Sequence, residues 1–97
     1  MPVPVEFGHR ILVADDDRAI REAVARALEL EGYEVETVPD GAAALDAVMR
    51  RAPDLLVLDV MMPSVDGLSV CRTMRRHGDR TPILILTART EVSDRVS

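Results

Sequence analysis

Ile11-Leu12-Val13-Ala14-Asp15-Asp16-Asp17 is a four-residue apolar run that stops on three consecutive carboxylates, and Leu55-Leu56-Val57-Leu58-Asp59 repeats the arrangement further along the chain. A third run, Ile83-Leu84-Ile85-Leu86, stops on Thr87. Short unbroken apolar runs of this kind read as strands buried on both faces. Helical patterns lie between them. After the first run, Ile20, Ala23, Val24, Ala27 and Leu28 recur at helical spacing, with Asp17 as N-cap and Gly32 as stop. Tyr33 to Val38 alternates as a half-exposed edge strand would. Asp40 opens a second helix with Ala44, Leu45 and Val48 on one face. Arg50 and Arg51 fall in its last turn, and Pro53 prevents continuation. A third helix starts near Asp66, carries Leu68, Cys71 and Met74 on one face, and ends near Gly78. Glu91 to Ser97 reads as the opening of a fourth helix. Strands alternating with helices predict an α/β fold, a doubly wound parallel sheet with right-handed crossovers. Such sheets bind ligands beyond the carboxyl ends of their strands, where strand order reverses. The residues to inspect are therefore Asp15, Asp16, Asp59 and Thr87.

Composition narrows the function. The chain has 97 residues, 12 basic and 17 acidic, for a formal charge of −5, and 47% are hydrophobic. That is one small globular domain, with no internal repeat or linker. All of the basic residues are arginine. No apolar run approaches the ~20 residues that cross a membrane, and Met1 to Arg10 lacks a secretory pattern. The single cysteine, Cys71, cannot make an internal disulfide. A cytoplasmic location is the expectation, with no membrane contact. The acidic balance leaves no electrostatic footprint for nucleic-acid contact by this chain itself.

Three carboxylates at one rim of a sheet repel one another. Taken singly, Asp15, Asp16 and Asp17 could cap the first helix, and Asp59 could simply end a strand. Taken together, they suit a hard divalent cation. Mg²⁺ takes oxygen ligands and binds directly to only one or two carboxylates while keeping several waters.

These residues resemble a known family. Ile11 to Asp17, Asp54 to Pro63 with Asp66-Gly67, and Pro82 to Arg89 are similar in order and spacing to a response-regulator receiver domain, with the OmpR-type regulators as the nearest subgroup. The resemblance covers Arg10 to Ser97 and implies a flavodoxin-like receiver fold. Residues 1–9 would be a lead-in, and 10–97 a receiver core through the start of the fourth helix, lacking the family's fifth strand and fifth helix. Asp59 would accept a phosphoryl group from a sensor histidine kinase. Asp16 would bind Mg²⁺ directly, Asp15 mainly through water, and Met61 through its backbone carbonyl. Thr87 would hydrogen-bond a phosphoryl oxygen, and Ala88 would leave room for it and offer its backbone N–H. Pro63 and Gly67 would shape the loop around the site. DNA would be reached through a C-terminal output domain absent from this sequence, so the role would be transcription regulation.

The family's fifth strand carries a lysine that pairs with the phosphoryl group, and this sequence contains no lysine. That keeps a second reading open: a receiver-like interaction module that is not phosphorylated. Without a fifth strand, Ile83 to Leu86 would form an apolar edge, which predicts self-association through the fourth strand. An aspartate-nucleophile phosphatase wants a second acid two positions after its nucleophile, where Met61 stands. No glycine-rich turn follows the first strand, which argues against dinucleotide binding. Cys71 reads as core. His9 and His77 read as surface residues, and Arg72, Arg75, Arg76 and Arg80 as a solvated basic face.

Overall fold

The structure, a computed structural model, describes residues 9–60, 62 and 66–86. Four strands, β1 (Arg10–Ala14), β2 (Glu34–Val38), β3 (Leu55–Asp59) and β4 (Ile83–Leu86), alternate with three helices, α1 (Arg18–Leu30), α2 (Gly41–Arg50) and α3 (Gly67–Arg76). All pairings are parallel, and the strand order is β2-β1-β3-β4. The chain moves outward one way from β1 to β2 and the other way from β3 to β4. The reversal lies between β1 and β3. β1 is buried at every position and β3 nearly so, as their composition predicted. β2 is an edge strand, exposed at Glu34 and Thr37 and buried at Val38. β4 is not buried on both faces as its apolar run predicted, since it lies at the edge of the described sheet with Leu84 and Ile85 exposed. The expected fourth-helix turns lie outside the described residues.

Alternation along the strands builds two core layers. Leu12, Ala14, Leu56 and Leu58 pack on one face with Val38, Ala44, Ala47, Val48, Val70 and Met74. Ile11, Val13 and Val57 form a smaller layer on the other face, against Val24, Leu28, Val35, Leu55 and Leu86. Each helix begins on an aspartate whose carboxylate accepts backbone N–H bonds. Asp17 accepts from Ala19 and Ile20 at 2.9 and 3.1 Å, Asp40 from Ala43 at 2.8 Å, and Asp66 from Ser69 at 2.8 Å. Each cap contributes about 1 kcal/mol. Gly32, just past α1, has φ of +97°, a backbone state that a side chain would disfavour.

Two helical faces differ from expectation by one residue. In α1 the stripe against the sheet is Arg21, Val24, Ala25 and Leu28, and Ile20, Ala23 and Ala27 are exposed. Alanine carries little periodic information, so two stripes sharing Val24 and Leu28 looked alike. In α3 the inward residues are Gly67, Val70 and Met74, with Cys71 half-buried, whereas Leu68 is 55% exposed. The rotation follows from Gly67. A Cβ there would lie 2.7 Å from Val60 Cα and 2.9 Å from the Asp59 carbonyl oxygen. That close approach turns position 67 inward, and position 68 points about 100° away.

Arg10, at the opposite end of the sheet from the strands' carboxyl ends, was not singled out in the sequence. It is 5% exposed. Its guanidinium bonds Glu36 Oε1 at 3.0 Å and the Arg51 carbonyl at 2.8 Å, while its backbone N–H donates to Asp54 Oδ2 at 2.7 Å. One side chain thus ties β1 to β2 and to the end of α2.

The rotation of α3 is testable. Val70→Ala should cost about 1.5–3 kcal/mol, since it empties a fully buried site. Leu68→Ala should stay within about 0.5 kcal/mol. Urea unfolding of the two variants measures both, and equal costs would contradict the observed orientation.

Candidate metal and phosphoacceptor site

Register brings the acids together. Ala14 pairs with Leu58, so the next residues along the two adjacent strands, Asp15 and Asp59, stand side by side at the reversal point. Carboxylate oxygens of Asp15, Asp16 and Asp59 all lie within 4.8 Å of one another. Asp15 and Asp59 are buried, and Asp16 is exposed. The two buried acids sit on backbone held by the sheet, and the exposed one faces solvent where an ion would enter.

The three consecutive acids divide their tasks. Asp17 is committed to capping α1. Asp15 Oδ1 accepts the Asp17 N–H at 2.9 Å, which folds the turn back over the strand end. The Asp15 carbonyl accepts from Arg21 Nη1 at 2.9 Å, and its own N–H donates to the Val38 carbonyl at 3.2 Å. Asp15 is therefore fixed from three sides. Asp59 is positioned by its pairing with Leu86 in β4 and by the glycine contact at Gly67.

Electrostatics mark the cluster. Burial pushes the Asp15 carboxyl above the usual 3.8, and the charges of Asp59, Asp16 and Asp17 push the same way, against the Asp17 N–H bond that lowers it. A cluster of hard oxygen donors with mutual repulsion is the donor chemistry that fits Mg²⁺. Of the residues expected at the site, the structure brings Asp15, Asp16 and Asp59 together. Met61, Pro63, Thr87 and Ala88 lie outside the described residues. Gly67 was expected to shape the loop. Its contact with the Asp59 backbone gives that expectation a steric basis, which spacing alone did not specify.

The shifted carboxyl gives a pH dependence. The folded chain holds the Asp15 proton more tightly than the unfolded chain does. Stability from this group is greatest below 3.8 and is lost as pH rises through the raised folded value. Asp15→Asn keeps an acceptor for the Asp17 N–H and removes the titration. In metal-free urea unfolding, the variant should gain on the wild type from acid to neutral pH. A constant difference between the two would exclude this behaviour.

Comparison with known proteins agrees with the geometry. A family model for the response regulator receiver domain matches residues 11–97. The response regulator MprA of Mycobacterium avium is 59% identical over 88 residues, covering 91% of this chain and 39% of that protein. The chain thus spans well under half the length of the curated relatives it matches. Similarity to MprA response regulators agrees with the OmpR-type grouping read from the motifs. The receiver domain of Francisella response regulator 1452 aligns with a TM-score of 0.82 at 31% identity, over 92% of this chain and 74% of that one. TrrA of Thermotoga maritima, solved in complex with Mg(2+)-BeF, aligns with a TM-score of 0.78 at 37% identity, over 91% and 80%. On the family match, the shared fold and the acid cluster at its strand ends, this chain belongs to the response regulator receiver domains of two-component systems.

Proposed function

We propose that residues 10–97 act as a phosphoacceptor, with Asp59 taking a phosphoryl group from the phosphohistidine of a sensor histidine kinase. The observation that carries this is the gathering of Asp15, Asp16 and Asp59 within 4.8 Å at the ends of adjacent parallel strands. An Asp59 carboxylate oxygen would form the new bond to phosphorus as the bond to the kinase imidazole breaks, and the imidazole nitrogen would keep that electron pair. Phosphoryl transfer depends mainly on positioning and charge stabilisation. The strand supplies positioning, with Asp59 only 7% exposed. Asp15, Asp16 and Asp59, with the Met61 carbonyl, would hold Mg²⁺. Bound there, the ion would neutralise carboxylate repulsion and the negative charge of the transferring group. We assign Thr87 and Ala88 to phosphoryl contact on the family motif alone. Residues 1–9 would be the lead-in.

Added phosphoryl charge would bias the loops around the site and so signal to an output. The output proposed is transcription control from the cytoplasm, through a DNA-binding domain outside this sequence. Among the described residues, no helix is long and apolar enough to cross a membrane.

A second reading is an interaction module of the same fold that is not phosphorylated. Intact mass after acetyl phosphate treatment separates the two. The wild type should gain one phosphoryl group only with Mg²⁺, and Asp59→Asn should gain none. No gain by the wild type would favour the second reading.

Self-association through β4 is proposed on the exposure of Leu84 and Ile85, at 52% and 40%, on the edge strand of the described sheet. Sedimentation velocity should show dimers that Ile85→Glu dissociates. A wild type that stays monomeric at high concentration would overturn this.

A further inference from the structure

The acid cluster occupies one end of the sheet, and an opposite charge pattern occupies the other. α3 begins beside Asp59 and runs back roughly 15 Å along the sheet. Its far end carries Arg72, Arg75 and Arg76 at spacings that share one exposed face, and Arg80 follows in the turn before β4. Within 67–82 the only acidic residue is Asp79. Asp79 is already engaged: its Oδ1 accepts from the Thr81 N–H at 2.8 Å and the Thr81 hydroxyl at 2.6 Å.

Arg10, Arg18, Arg50 and Arg51 each pair with a carboxylate, while Arg21 and Arg26 of α1, like the four at the end of α3, are in no ion pair among the described residues. Arg75 Nη1 donates to the Asp79 carbonyl at 2.8 Å, which holds its guanidinium across the turn with other donors unspent. A cleft of about 230 Å³ opens between Arg75 and Arg80. The helix dipole accounts for cations in the last turn of α3. It does not account for Arg80, which lies past the helix and with Arg75 lines that cleft among the described residues.

We propose that the Arg72–Arg80 face at the C-terminal end of α3 is a docking surface for an acidic segment of a partner polypeptide, with one of its carboxylates seated between Arg75 and Arg80. Guanidinium forks match carboxylates in bidentate geometry, and all the cations here are arginine. A polypeptide fits better than nucleic acid because the chain as a whole carries −5, a net field that repels an extended phosphate backbone. A short acidic segment needs only the local charge.

The test uses the whole chain with a fluorescent hexaglutamate peptide, read by anisotropy at low and physiological salt. Binding should weaken with salt, and amide shifts on titration should centre on 72–80. The triple variant Arg72→Glu, Arg76→Glu and Arg80→Glu should bind at least about tenfold more weakly. If circular dichroism shows that variant unfolded, Arg76→Gln with Arg80→Gln gives the same reading. Phosphoryl gain at Asp59 should be unchanged in either, which separates this surface from the acid cluster. Absent binding, equal binding by the variants, shifts centred elsewhere, or tighter binding of an oligothymidine than of the peptide would each overturn the proposal.

Discussion

The parallel register that sets Ala14 against Leu58 is the constraint on which the candidate site depends. It places two acids on adjacent strands at the point where the chain reverses its direction of travel across the sheet. Burial raises the Asp15 carboxyl above its usual range, and the neighbouring Asp59 charge raises it further. The apolar strand interiors hold this arrangement in place. Leu12, Ala14, Leu56 and Leu58 are fully buried beneath the rim, and a one-residue slip would turn them out of the core layer they share. Hydrophobic register thus forces together charges that would otherwise separate.

The turn after β1 and the start of α3 refine that placement. Asp15 and Asp17 use backbone N–H groups to fold the first turn tightly, which leaves Asp16 as the solvent-facing member of the cluster. Gly67 lets α3 begin in contact with the backbone of Asp59 and Val60. The same contact sets the helix's rotation, and with it the exposed row of arginines roughly 8–14 Å further along the axis. One close backbone approach therefore orients both a candidate phosphoacceptor and a distant charged surface.

Charge is sorted along the sheet axis. Carboxylates gather at the strands' carboxyl ends. At the other end, Arg10, Arg50 and Arg51 are matched by Glu36, Asp46 and Glu34, while the arginines of α3 are in no ion pair among the described residues. The matched set is structural: Arg10 is buried, and its bonds join three segments distant in sequence. The α3 set is exposed; Arg75 bonds the Asp79 carbonyl across the turn, and the last-turn arginines favour the helix dipole.

Much of this was legible in the chain itself. Apolar runs closing on Asp15, Asp59 and Thr87 specified parallel strands and their order in sequence, because unbroken apolar strands need cover on both faces. Asp17, Asp40 and Asp66 marked three helix starts, since capping is a local interaction read from neighbouring residues. The acids expected to meet do meet, because parallel pairing leaves strand ends level. Helix rotation was not legible. Ala25 rather than Ala23 faces the sheet, and Val70 rather than Leu68, because rotation is set by contacts with distant backbone that periodicity cannot weigh. The burial of Arg10, and the lack of an ion pair for the α3 arginines among the described residues, were likewise decided by tertiary structure. Whether a guanidinium finds a carboxylate depends on which chain segments fold against it, and sequence spacing carries no record of that.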